Sequence, residues 1–261
     1  MHILLTNDDG FQAKGLRALY EAISVHHKVT VVAPETEQSA IGHAITVADP
    51  IRVREITNME FNGFAVRGTP ADCVKLAVLE LLQEPPDLVI SGINHGANLG
   101  VNVLYSGTVS AASDAAILGF PAIAFSQEYL GDKNTSFEVA AHFARRLVDI
   151  YPELQMPRNV LLNVNIPHLP QDFIKGVRFV RQSNARLAER FEKRMDPRGS
   201  MYYWQVGETM DFRSEKDTDV LAMTDGYITI TPLGHDLTHQ EEVKRLQKDK
   251  SRLLPEIFEA I

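Results

Sequence analysis

The chain has 261 residues, is 44% hydrophobic and 23% charged, and carries a formal net charge of −8. That suits a globular protein of one large domain or of one domain plus an elaboration, and the acidic balance argues against general affinity for nucleic acid, which needs a basic footprint. The single cysteine, Cys73, excludes an internal disulfide and suits a reducing compartment. The apolar start is too short for a signal peptide and no apolar run approaches the ~20 residues of a membrane span, so the expected location is the cytoplasm, off the membrane.

The elements alternate. Ile3, Leu4 and Leu5 are apolar enough for a strand buried on both faces, and Asn7-Asp8-Asp9-Gly10 follows at its carboxyl end. Leu16, Leu19, Tyr20 and Ile23 recur at helical spacing, and residues 28–34 form a second strand. After a loop with Ser39 and Gly42-His43, residues 51–56 and 61–66 read as a hairpin turning at Asn62-Gly63 or Asn58. Thr69-Pro70-Ala71-Asp72 is a helix start, with Thr69 as cap, Pro70 in the first position and Asp72 favourable to the dipole; the buried stripe runs from Ala71 and Val74 to Leu82. Pro85-Pro86 stops that helix before a core strand at 87–93 and a Gly- and Asn-rich loop at 94–100. A helix rich in alanine is expected over 108–118 and a strand over 122–126. A Thr135–Glu138 capping box opens a helix whose face includes Phe137, Ala144, Leu147 and Tyr151, and a further strand spans 160–166.

This order predicts an α/β fold, a three-layer αβα sandwich on a mostly parallel, Rossmann-like sheet, as a catalytic core over residues 1–170. The pattern changes over 171–261. Residues 177–181, 201–206 and 227–232 look like strands, 185–194 fits helix, hairpin arm or loop, and 241–261 reads as a helix interrupted at Pro255. This last third is expected to be an appended subdomain or an oligomerisation element.

In open α/β sheets, ligands bind beyond the carboxyl ends of the strands. Adjacent carboxylates at that edge repel each other unless a cation lies between them, although Asn-Asp-Asp-Gly is also ordinary turn chemistry. Asp8, Asp9, the Ser39 hydroxyl and the Asn94 amide make an all-oxygen set suited to Mg²⁺, Mn²⁺ or Ca²⁺. Zinc is disfavoured, since neither cysteine nor a histidine pair has ligand spacing. Ser106-Gly107-Thr108, at a helix start, resembles an anion cradle, with Gly107 permitting close approach and Ser106 and Thr108 adding hydroxyls. Thr108 as a simple N-cap is the plain alternative. Gly42, His43 and Asn98 are further candidates for substrate contact. None of these motifs contains lysine or arginine, so a phosphate held there depends on the cation and on backbone dipoles.

LLTNDDG, VVAPETEQS, GTPADCV, SGINHGANLG, YSGTVSAA, GFPAIAFS, LNVNIP, DGYITITPL and HDLT occur here in order. Together they resemble the stationary-phase survival protein SurE family of metal-dependent nucleotide phosphatases over most of the chain. The resemblance implies one divalent cation per subunit, Mg²⁺ or Mn²⁺, on Asp8, Asp9, Ser39 and Asn94. It implies hydrolysis of nucleoside 5′-monophosphates, extending to 3′-nucleotides and short polyphosphate. It also implies a homodimer or homotetramer with exchanged C-terminal elements. Where the family often has Gly-Pro-Asn, this chain has Gly96-Ala97-Asn98.

The chemistry expected is phosphomonoester hydrolysis, with the cation spreading phosphoryl charge and Asp8 or Asp9 acting as base or as nucleophile. His43, His95 and His235 are candidate acids for the leaving group. A dinucleotide-dependent oxidoreductase is the rival enzyme, but the first loop lacks G-x-G-x-x-G. A phospho-accepting regulatory module wants a third Asp and a Lys where Asn94 and Gln127 stand.

Overall fold

The computed structural model describes residues 1–57, 61–129, 131, 136–185, 187–210 and 216–249, with backbone alone at 187–189 and 207–210. The features expected at Asn58, at Thr135 and from residue 250 onward, Pro255 included, lie outside that set.

β1 (His2–Thr6) is buried from Ile3 on, as a strand covered on both faces requires. Ile3 and Leu5 enter one apolar cluster and Leu4 the other, the two-residue period of a strand between two layers. α1 (Lys14–Ile23) buries Gly15, Leu16, Leu19 and Ile23, and β2 (Lys28–Pro34) follows. β3 (Arg52–Ile56) and β4 (Gly63–Arg67) form the expected hairpin. α2 (Pro70–Leu76), β5 (Leu88–His95), α3 (Gly107–Ile117), β6 (Ala122–Gln127), α4 (Glu138–Ile150) and β7 (Val160–Ile166) complete the alternating part. β8 (Val177–Phe179), β9 (Leu187–Met195), β10 (Met201–Met210), α5 (Asp219–Thr224), β11 (Ile228–Gly234) and α6 (Gln240–Lys248) follow.

The main sheet has the order β3-β4-β2-β1-β5-β6-β7-β11-β8. β1 pairs in parallel with β2 on one side and β5 on the other. The chain thus leaves β1 in one direction and later returns to its other edge, and at such a switch point the crevice lies at the carboxyl ends of β1 and β5. α1 packs with α4, and α2 packs with α3, giving the two helical layers. The expected three-layer fold on a mostly parallel sheet is the one observed.

Some elements differ from expectation. The helix expected to reach Leu82 closes at Leu76 and widens into a π-helical turn, Ala77–Leu81, with Leu82 N–H donating to Ala77 O at 2.9 Å. Pro85-Pro86 lies just beyond, and a residue before proline is steered out of the helical region. β5 runs past Ile93 to His95 because a register shift after Ser91 lets Asn94 pair with Ser126. Residues 187–195 are the hairpin arm, paired antiparallel with β10. β11 and β8 extend the main sheet, and α5, which no strong apolar period announces, packs Val220 and Met223 on Leu99.

Asp72 joins the loop before β3 to α2. Its carboxylate accepts Thr69 N–H at 2.9 Å, completing a capping box, and Thr46 Oγ1–H at 2.6 Å. Burial tends to raise its pKa, but the hydrogen bonds from Thr46 and Thr69 prevail and hold it below the usual 3.8. A depressed carboxyl stabilises the fold above its unfolded value and loses that contribution as pH falls through the folded one. Asp72→Asn is therefore expected to cost about 1–3 kcal/mol at pH 7 by urea titration. The gap to the unmodified chain should narrow below pH 3.8; a gap constant down to pH 3 would contradict the assignment.

Candidate metal and phosphate site

Asn7-Asp8-Asp9-Gly10 divides its labour. Asn7 Nδ2 donates to Gly10 O at 3.0 Å and makes the turn, which leaves both carboxylates to the crevice. Asp8 is only 5% exposed and accepts Thr108 Oγ1–H at 2.5 Å. Burial raises its pKa, the Thr108 hydroxyl opposes that, Asp9 reinforces it, and the carboxyl rests at about 6. Asp9 Oδ2 accepts His95 N–H at 3.2 Å; burial raises its pKa too, against that N–H and with help from Glu37. A buried acid beside a half-buried one makes a place where a cation relieves both desolvation and repulsion.

The other oxygen donors come from the neighbouring strands. Beyond β2, Gln38 N–H donates to Asp8 O at 2.7 Å, tying the Ser39 loop to the acid pair. Ser39 Oγ–H is given to Glu37 Oε1 at 2.6 Å, so the oxygen's lone pairs remain for a cation. In β5, Gly92 adopts φ +129°, and a Cβ there would stand 2.3 Å from Phe125 O. Only glycine permits this approach to β6, and the local irregularity sets the position of Asn94. Asn94 Nδ2 donates to Gly96 O at 2.7 Å, which leaves the amide oxygen as the end that can offer lone pairs to a cation. Among the described residues no three His, Cys, Asp or Glu side chains cluster for a metal. The donors at hand are oxygens of mixed type, which suits a hard cation that keeps part of its water shell.

Asp8, Asp9, Ser39, Asn94, Asn98 and Ser106 all line one cleft of about 650 Å³. Ser106, not Thr108, caps α3, its Oγ accepting Val109 N–H at 3.1 Å. Thr108 is fully buried and its hydroxyl is committed to Asp8, so its side chain positions the acid instead of meeting substrate. Gly107 brings the helix against Asp8: a Cβ there would lie 2.8 Å from Asp8 Cβ. Gly42 and His43 do not line the cleft; Gly42 N–H donates to Tyr105 O at 3.1 Å and His43 Nδ1 lies 3.1 Å from Ser110 Oγ. Of the three histidines considered as acids, His95 borders the cleft, whereas His43 and His235 do not.

Residues 3–189 match the family described as Survival protein SurE. The chain belongs to the SurE family. It is 51% identical over 249 residues to the 5′-nucleotidase SurE of Syntrophobacter fumaroxidans, covering 95% of this chain and 99% of that one. The 5′-nucleotidase SurE of Thermosipho melanesiensis is 45% identical over 249 residues, 95% of this chain and 97% of the relative. The crystal structure of the SurE protein from Aquifex aeolicus superposes with a TM-score of 0.81 at 40% identity, over 95% of this chain and 99% of that one.

This SurE chain also uses residues that sequence reasoning passed over. Asn98 N–H donates to Asn165 Oδ1 at 2.7 Å and Asn98 Nδ2 to Ser126 Oγ at 2.8 Å, while Asn163 Nδ2 donates to Asn98 O at 2.9 Å. These contacts hold the Gly96-Ala97-Asn98 loop in place. The signal was present: two asparagines alternating on one face of a fully buried strand need polar partners. Asp219 is fully buried and accepts N–H groups from Gly100, Ser183 and Val220 at 2.9, 2.9 and 2.8 Å, fastening α5 to the same loop. Glu37, which lines the cleft, had no signal, for an acid in a polar loop looks solvated.

Proposed function

We propose that this chain is a metal-dependent phosphomonoesterase that hydrolyses nucleoside 5′-monophosphates to nucleoside and phosphate. The observation that carries it is that the buried Asp8 and the half-buried Asp9 line one cleft together with Ser39 and Asn94, at the amino end of α3. Asp8, Asp9, Ser39 and Asn94 would hold one divalent cation, Mg²⁺ or Mn²⁺, per subunit. Bound there, the cation supplies Lewis-acid stabilisation of phosphoryl charge and a water of lowered pKa. The rest falls to the chain. Ser106 spends its oxygen on Val109 N–H and keeps its proton to donate to a phosphoryl oxygen. The first N–H groups of α3 face the same charge, with the positive end of its dipole. Asp8 or Asp9 accepts the proton of the attacking water, and Thr108 fixes the rotamer of Asp8.

Activity toward 3′-nucleotides and short polyphosphate, a cytoplasmic location, and a homodimer or homotetramer with exchanged C-terminal elements complete the reading. Among the described residues no helix is long and apolar enough to cross a membrane. The β9–β10 hairpin forms its own two-stranded sheet and exposes Phe191, Met195, Tyr203 and Trp204. An isolated hairpin gains little stability alone, so a second copy is the natural cover.

Phosphate release from AMP tests the core of this reading. Mg²⁺ or Mn²⁺ is expected to support turnover, and EDTA to reduce it by at least roughly 10²-fold, with recovery on adding back the cation. Saturating cation should also stabilise the fold by about 2.7 kcal/mol at a hundred times Kd, read as a rise in Tm. Full activity in EDTA, with no cation-dependent Tm shift, would overturn it.

A further inference from the structure

Resting on that phosphatase reading, we propose that the recess beyond Asp9 is the nucleobase subsite and that the His95 ring is its stacking face. Beside the cleft lies a smaller space of about 220 Å³, lined by Asp9, Lys14, Glu37, His95 and Phe137 among others. Asp9, Glu37 and His95 border both spaces, so the recess adjoins the phosphate end of the cleft along a shared wall.

A base needs a rigid flat face at a set distance from the phosphate. The His95 backbone is held in β5 and by its N–H to Asp9 Oδ2, so the ring is indexed to the acids. Tyr129, which lines neither space, packs against that ring with centroids 4.1 Å apart, and Phe137, in the wall of the recess, meets it edge-on at 6.1 Å. Phe137 is buried, whereas His95 remains exposed. An aromatic plane packed against a second ring on a solvent-exposed residue costs a stacking ligand little ordering entropy. Lys14 and Glu37 offer one donor and one acceptor at the rim for the edge of a base. The same ring could serve instead as a proton donor to the leaving group, and the test separates the two roles.

Steady-state kinetics with Mn²⁺ on AMP and on ribose 5-phosphate, which lacks the base, reads the subsite directly. The unmodified chain is expected to favour AMP in kcat/KM by at least roughly tenfold, a stacking-sized preference. His95→Ala should erase most of that ratio through KM. His95→Phe, which keeps a ring and has no proton to give, should restore most of it. Tyr129→Ala, which removes the support, should fall between. Melting temperatures within a few degrees of the unmodified chain are expected, since His95 is exposed. An unchanged ratio in His95→Ala, or a loss in His95→Phe as large as in His95→Ala, overturns the stacking role. Equal use of AMP and ribose 5-phosphate by the unmodified chain overturns the subsite while leaving the phosphatase intact. Hydrolysis of neither removes the phosphatase reading and the subsite with it.

Discussion

Asp8→Asn is expected to lower kcat/KM for AMP by roughly 10³-fold or more while the chain stays folded, because it removes one of the two charges that make the cleft hospitable to a cation and hence to phosphate. The substitution is close to isosteric. The Thr108 hydroxyl that now donates to Asp8 at 2.5 Å can rotate to keep a bond to the new amide. The stability outcome is what distinguishes a functional acid from a structural one. Burial first, the Thr108 bond against it, and Asp9 with it leave the Asp8 carboxyl at about 6, well above an ordinary aspartate. A raised carboxyl weakens the fold as pH rises through the folded value, since the ionised form is better accommodated in the unfolded chain. In EDTA at pH 7.5, Asp8→Asn should therefore melt at the same temperature as the unmodified chain or higher. With Mn²⁺ the order should reverse, since the variant loses its cation-dependent rise. Turnover within tenfold of normal, or a variant that melts lower in EDTA, would place the chemistry elsewhere.

Gly107→Ala should cost roughly 10²-fold in kcat/KM, the scale on which displacement of a reacting group by about an ångström is felt. A Cβ at this position would lie 2.8 Å from Asp8 Cβ and 2.9 Å from Asp8 Oδ2, closer than non-bonded atoms tolerate. Either the start of α3 retreats, carrying Ser106 and the first N–H groups with it, or Asp8 turns away from Thr108. Helix propensity acts the other way, for alanine in a helix is favoured over glycine by about 1 kcal/mol. A loss of activity with unchanged or improved melting would thus trace to the site. Full activity in Gly107→Ala would mean that the acid and the helix end need not meet.

Much of this arrangement was legible beforehand, and particular residues show why. β2 spans Lys28–Pro34 as its apolar pattern predicts, and the buried positions of α4 are those of the expected stripe from Ala140 to Val148. These features are local: a period of two or of 3.6 residues reports burial without knowledge of the partner. The positions of Asp8, Asp9 and Ser39 beyond strands followed from the same local reading plus the rule for open sheets, whereas Asn94, expected to open a loop, lies inside β5. Thr108 was harder. As a sequence feature it is a good cap, yet Ser106 takes that place and Thr108 turns to an acid a hundred residues earlier in the chain. Gly42 and His43 share a loop with Ser39, but the loop folds them against Tyr105 and Ser110, and neither lines the cleft.

The amino-acid sequence by itself determined the alternation of strands and helices, the two-sided burial of the central strands, and the acid pair at the end of the first. Each depends on neighbours within a few turns of chain. The tertiary structure alone decided that β1 lies between β2 and β5, that β8 and β11 join the same sheet, and that Asn163 and Asn165 hold Asn98. Those outcomes turn on which distant edges pair, and backbone hydrogen bonding is nearly indifferent to side-chain identity. The choice is made by how the whole set of apolar faces closes on itself, a property no single segment carries.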